Sequence, residues 1–111
     1  MALGELEQAV LFALVRIDGE SHGAAIIEGI EAGTGKRVSP GALYTVLDRL
    51  ESKGYVRSRI GDSTPARGGR RRKLYQILPE GAQTLRVWYA GIRQLASGVG
   101  ARLDRLAEES G

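Results

Sequence analysis

Apolar positions recur at helical spacing in four stretches of this chain and at strand-like spacing in two. The most completely written stretch runs from Ser39 to Val56. Leu43, Val46, Leu47 and Leu50 step by three and four, which places them on one face of a helix. Ser39 can accept from the free amides of the first turn, and Pro40 sits where a helix has no amide hydrogen bond to lose. Lys53 suits the negative end of the helix dipole, and Gly54 can take the left-handed conformation that stops a helix. The opposite face carries Gly41, Ala42, Thr45, Asp48, Arg49 and Ser52, and its first turn is small and polar. Such a turn can come close to a base edge or a phosphate. An ordinary amphipathic core helix is the plain alternative.

The other elements follow from the same patterning. Glu5 to Ile17 reads as a helix with Leu6, Val10, Ala13, Leu14 and Ile17 on one face, and Leu3, Leu11, Phe12 and Val15 largely outside it. A helix apolar nearly all round must be covered on more than one side, so part of this surface is expected to meet a second chain. His22 to about Ala32 reads as a second helix, capped by Ser21, with Ala25, Ile26 and Ile30 inward and Ile27 flanking. Val56 to Ile60 alternates roughly, and Lys73 to Leu78 is rich in strand formers. The loop-forming run Gly61 to Gly69 joins them into a hairpin. Pro79-Glu80 opens a last helix reaching Leu106, with Leu85, Trp88, Ile92, Leu95, Val99, Leu103 and Leu106 on one stripe. Gly91, Gly98 and Gly100 weaken that helix in isolation. A stripe this long cannot be covered by so small a domain, so homodimerisation through the first and last helices is expected. The fold class is mostly α with a small β-hairpin (α+β). A winged helix-turn-helix domain over 1–78 precedes a long C-terminal dimerisation helix over 79–111.

Composition adds limits. The chain has 111 residues, room for one small domain, and a net charge of +3 that says little by itself. There is no cysteine, which removes disulfides and thiolate chemistry and fits a reducing compartment. The first residues lack a basic leader pattern and no apolar run is long enough to span a membrane, so a cytoplasmic protein is expected. No Ser/His/Asp set, carboxylate pair or phosphate loop stands out, so no enzyme activity and no cofactor are expected. His22 is the only histidine and has no second ligand at metal spacing, so no metal site is expected.

The distribution of charge says more than its sum. Arg67, Arg70, Arg71, Arg72 and Lys73 place five of the sixteen basic residues within seven positions, at the tip of the hairpin. Three helices followed by a hairpin with a basic tip is the order of a winged-helix DNA-binding domain. The third helix enters the major groove, and the hairpin follows the backbone or the neighbouring minor groove.

Four motifs carry a resemblance. They are His22-Gly23 after Ser21, Pro40-x3-Tyr44-x2-Leu47-x2-Leu50-x3-Gly54, Gly69-Arg70-Arg71-Arg72-Lys73-x-Tyr75, and Pro79-Glu80-Gly81. In their order and spacing the chain resembles the PadR family of bacterial transcriptional regulators, in its compact branch with a single C-terminal helix. The resemblance implies a homodimeric winged-helix repressor on a pseudo-palindromic operator in double-stranded DNA. Many members are released by small molecules, including phenolic acids and antimicrobial compounds. It also implies that Tyr44 contacts the DNA backbone and that the wing arginines follow the flanking groove. Ala24 stands where many members carry an aromatic residue, so a backbone contact there is not carried over.

The expected DNA-binding set is therefore Lys36, Arg37, Ser39, Gly41, Tyr44, Thr45 and Arg49, with Arg67, Gly68, Gly69, Arg70, Arg71, Arg72 and Lys73 in the wing. For Tyr44 the plain alternative is a half-buried ring on Leu47. The expected dimer interface is Leu6, Phe12, Leu85, Trp88, Ile92, Leu95, Val99, Leu103 and Leu106. Trp88 and Tyr89 are candidates for binding a planar aromatic effector. A winged-helix protein-interaction module without specific DNA binding is the alternative function; it leaves the clustered wing charge unused.

Overall fold

A computed structural model describes residues 3–61 and 72–109. Glu5–Arg16 (α1), Gly23–Thr34 (α2) and Pro40–Ser52 (α3) pack on one another and against a three-stranded antiparallel sheet. Its strands are Ser21–His22 (β1), Val56–Ile60 (β2) and Lys73–Ile77 (β3), in the order β1-β3-β2. Pro79–Ala96 (α4) and Gly100–Glu109 (α5) follow. The fold is thus mostly helical with a small sheet, as the patterning indicated.

α3 forms as its sequence dictates. The Ser39 hydroxyl accepts from the Ala42 amide at 3.1 Å, and Leu43, Val46, Leu47 and Leu50 are all buried. Its end is a left-handed turn at Gly54, closed by Tyr55 N–H donating to the Leu50 carbonyl at 3.0 Å.

α1 departs from its expected face. Leu11 has no exposure at all, because α1 touches α2, α3, α4 and β3 and is covered on several sides at once. Glu7 is buried as well. Its carboxylate accepts from the Gly4 amide at 3.0 Å and pairs with Lys53 at 2.7 Å. Burial pushes this carboxyl up, but the Gly4 amide and the Lys53 ammonium outweigh it and hold it below its ordinary value. The charged pair therefore ties the start of α1 to the end of α3.

Ser21 does not cap α2. It pairs with Tyr75 in the sheet, and the cap position falls on His22. α2 runs on to Thr34 and stops at Gly35. In the hairpin, Val56 is buried but Ile60 is 55% exposed, beyond the edge of the core.

The last helix is not continuous. The Ala96 carbonyl accepts from the Val99 amide at 3.2 Å across Ser97 and Gly98, with Ser97 extended and Gly98 at φ +73°. That is a type II turn, which requires a positive φ at its third residue. The apolar spacing continues across this break, so the sequence reads as one stripe where the backbone makes two helices. Val99 lies in the turn and not on the stripe of either helix. Leu85 is a second correction: it is buried in the chain's own core and has no surface to offer a partner. The start of α4 is clamped to the hairpin, with Leu78 N–H donating to the Tyr55 carbonyl at 2.9 Å. A Cβ at Gly81 would collide with that same carbonyl, which explains the glycine after Pro79-Glu80.

Candidate nucleic-acid interface

The buried stripe of α3 leaves Gly41, Ala42, Tyr44, Thr45, Asp48, Arg49 and Ser52 exposed on its other side. The Thr45 hydroxyl donates to the Gly41 carbonyl at 2.9 Å, so only its methyl and its remaining acceptor capacity face outward. Ser39 has its oxygen engaged by the Ala42 amide. Arg49 is exposed and adds its charge to the environment of Glu7.

The turn before α3 is held from behind. Glu31 accepts from the Val38 amide at 2.9 Å, and the Thr34 hydroxyl accepts from the Lys36 amide at 3.1 Å. Arg37 is exposed. Lys36 is exposed too but pairs with Glu5 at 3.1 Å. With both side chains mostly in solvent, that pair contributes under about 1 kcal/mol and is easily exchanged for another anion.

Tyr44 sits at the junction of three elements. Its ring lies 6.4 Å from that of Tyr75 on β3, and its hydroxyl end lies over Gly23 at the start of α2. A Cβ on Gly23 would stand 2.5 Å from the Tyr44 oxygen, so the ring occupies the space any larger residue would need. The ring is nevertheless 43% exposed, with its hydroxyl beside the first turn of a helix. Tyr75 is buried, which pushes its phenol up to about 12, and Lys73 carries its ammonium 5.7 Å from that ring. Tyr44, Tyr75 and Lys73 thus link the outward face of α3 to the hairpin.

The hairpin strands carry two more cations. Arg57 donates to Gln76 at 2.7 Å, and Arg59 forms a two-pronged pair with Glu20 at 2.5 and 2.7 Å. The Arg59 guanidinium holds the Glu20 carboxyl below its usual range. Glu51 turns inward and accepts from the Ser58 amide and hydroxyl, fastening α3 to β2. Arg67, Gly68, Gly69, Arg70 and Arg71 lie outside the described residues. Arg72 is half-buried and Lys73 exposed. Among the described residues, no group of three or more His, Asp or Glu side chains is arranged to hold a metal.

Residues 10–87 match the model of the Transcriptional regulator PadR-like family. The chain belongs to the PadR-like family of transcriptional regulators. It is 37% identical over 81 residues to the Transcriptional regulator Rv3488 of Mycobacterium tuberculosis, covering 71% of this chain and 69% of that protein. It is 36% identical over 85 residues to an uncharacterized 37.1 kDa protein in transposon TN4556 of Streptomyces fradiae. That match covers 77% of this chain but only 22% of the longer protein. The fold is similar to Bacillus subtilis PadR, solved in complex with operator DNA, with a TM-score of 0.64 and 24% identity. The likeness covers 77% of this chain and 46% of that one. PadR-like proteins are regulators and not enzymes.

Two of the motifs that carried the resemblance thereby gain a steric reason in this chain. Gly81 clears the Tyr55 carbonyl, and Gly23 clears Tyr44. Gly23→Ala is expected to cost about 1 kcal/mol by displacing the Tyr44 ring. In a Tyr44→Ala background the same change should be neutral or stabilising, because alanine is the better helix former. Denaturant unfolding of the four proteins measures this coupling. Equal costs in both backgrounds would show that the ring does not hold Gly23.

Proposed function

We propose that this PadR-like chain is a homodimeric, sequence-specific repressor that reads a pseudo-palindromic operator with α3 and grips the flanking backbone with its wing. The observation that carries this reading is the outward face of α3. It is small and polar at its N-terminal end, and Tyr44 and Tyr75 link it to a hairpin whose sequence concentrates arginine. Ser39, Gly41, Thr45 and Arg49 would face base edges. Tyr44 would donate its hydroxyl to a phosphate beside the start of α2, with Lys36, Arg37 and the segment Arg67 to Lys73 along the backbone. On this reading the protein works in the cytoplasm, where its DNA is. No helix among the described residues is long and apolar enough to cross a membrane.

The dimer reading rests on exposed apolar surface. Ile92, Leu95, Leu103 and Leu106 are 38%, 76%, 58% and 47% exposed, four large apolar side chains that the chain's own core leaves uncovered. Phe12 on α1 is also exposed, and Leu6 on α1 and Trp88 on α4 are partly buried against the core. A groove of about 710 Å³ runs along α4 past Trp88, Val87, Gly91, Ile92 and Leu95. A partner helix covering Ile92 and Leu95 would leave a flat apolar slot at Trp88, suited to a planar aromatic effector. Tyr89 is less suited, because it packs edge-on against Phe12 at 5.7 Å and under Arg93. Effector binding would release DNA by changing the separation of the two α3 helices.

Fluorescence anisotropy on DNA from upstream of the protein's own gene, against scrambled DNA, tests the reading. Specific binding with a log–log salt slope of about −5 or steeper is expected, corresponding to about six neutralised phosphates. No binding to either DNA at low salt would favour the interaction-module alternative. For the effector, planar aromatic compounds should quench Trp88 fluorescence saturably and weaken operator binding. Quenching without change in operator affinity would contradict release by this site.

A further inference from the structure

The outward edge of α3 offers carbon where it begins. Gly41 has no side chain and Ala42 ends in a methyl group, and both are exposed. The Ser39 oxygen is taken up by the Ala42 amide at 3.1 Å. Thr45 is exposed as well, but its hydroxyl proton is spent on the Gly41 carbonyl at 2.9 Å. That bond holds the oxygen against the helix, so the methyl is the part of the side chain turned outward. A helical side chain leans toward the N-terminus, over the residues three and four positions before it. For Thr45 these are Ala42 and Gly41, so nothing larger than a methyl group stands beside it. A Cβ at Gly41 would meet nothing within 4 Å, so the chain's own packing does not require glycine there.

We propose that Thr45 is a specificity-determining residue whose methyl group reads the C5-methyl of a thymine in the major groove. Gly41 and Ala42 provide the clearance that lets the base edge reach it. The thymine methyl is the apolar group that base pairs present in that groove, so a surface of carbon selects thymine there. Arg49 stands one helical turn further on and is exposed, with the donors that suit a guanine. Thr45 therefore acts through its carbon and not through its oxygen. The inference rests on the proposed reading of DNA by α3 and adds which base the start of that helix selects.

Uracil differs from thymine only in lacking the C5-methyl, so it isolates this contact. The probe is a duplex carrying the sequence that the unmodified chain selects from a random DNA pool. Each thymine is replaced in turn by uracil, first in one half-site and then in both. Affinity is measured by fluorescence anisotropy for the unmodified chain, Thr45→Ser and Thr45→Val. Thr45→Ser keeps the hydroxyl and removes the methyl, whereas Thr45→Val keeps the methyl and removes the hydroxyl. We expect one thymine per half-site whose replacement weakens binding by the unmodified chain about fourfold, and about fifteenfold when both half-sites are changed, as burial of one methyl group implies. Thr45→Ser should bind the thymine duplex about fifteenfold more weakly and show no further loss with uracil at that position. Thr45→Val should still distinguish thymine from uracil. A selected half-site with no uracil-sensitive thymine, or undiminished sensitivity in Thr45→Ser, overturns the inference and leaves the reading of DNA by α3 standing. Loss of binding in Thr45→Val but not in Thr45→Ser assigns the contact to the oxygen and overturns it as well. If the unmodified chain selects no sequence, the reading of DNA by α3 falls and the inference with it.

Discussion

A helix can present a defined outward face only if its other face is fully committed, and α3 meets that condition. Leu43, Leu47 and Leu50 have no exposure, and Val46 has almost none. Truncating one such leucine typically costs about 2–5 kcal/mol, a large part of the stability of a domain this size. The remaining restraints act on the same helix. Ser39 caps its start, Glu7 holds Lys53 at its end, and Glu51 fastens its last turn to β2. Tyr44, seated against Gly23, fixes its rotation relative to α2. What is left for solvent, or for DNA, is a small polar surface that no longer has freedom to drift.

Much of this could be read from the residues alone. The α3 stripe, its cap, its proline and its stop were all legible, because each depends on neighbours within a few positions. So were both main strands. Three features were not legible, for three physical reasons. β1 is two residues long, too short for any period to show, and only pairing with Tyr75 and Leu74 reveals it. Leu11 and Glu7 are buried because α2, α3, α4 and β3 of the same chain surround α1, whereas the patterning showed only that more than one side must be covered and assigned part of that surface to a second chain. The break at Gly98 hides because the apolar spacing runs through it unchanged. Gly23 and Gly81 were visible as motifs, but the contacts that demand them come from residues far away in sequence.

The apolar residues that the chain does not bury are concentrated on α4 and α5. The first three helices and the sheet supply most of the core but leave Phe12, Val15, Tyr44 and Ile60 exposed, whereas on α4 and α5 Leu95, Leu103 and Leu106 remain outside it. On the proposed reading, the apolar surface of α4 and α5 is what a second copy would cover. This division matches a regulator in which operator contact and subunit pairing lie on different elements joined by α1.

The most direct test of the central claim is selection of bound sequences from a random DNA pool with the full chain. The account predicts enrichment of one two-fold symmetric sequence, with half-site centres about one helical turn, roughly 10 base pairs, apart. Recovery of no preferred sequence, or of one without symmetry, would contradict a dimer reading DNA through paired α3 helices.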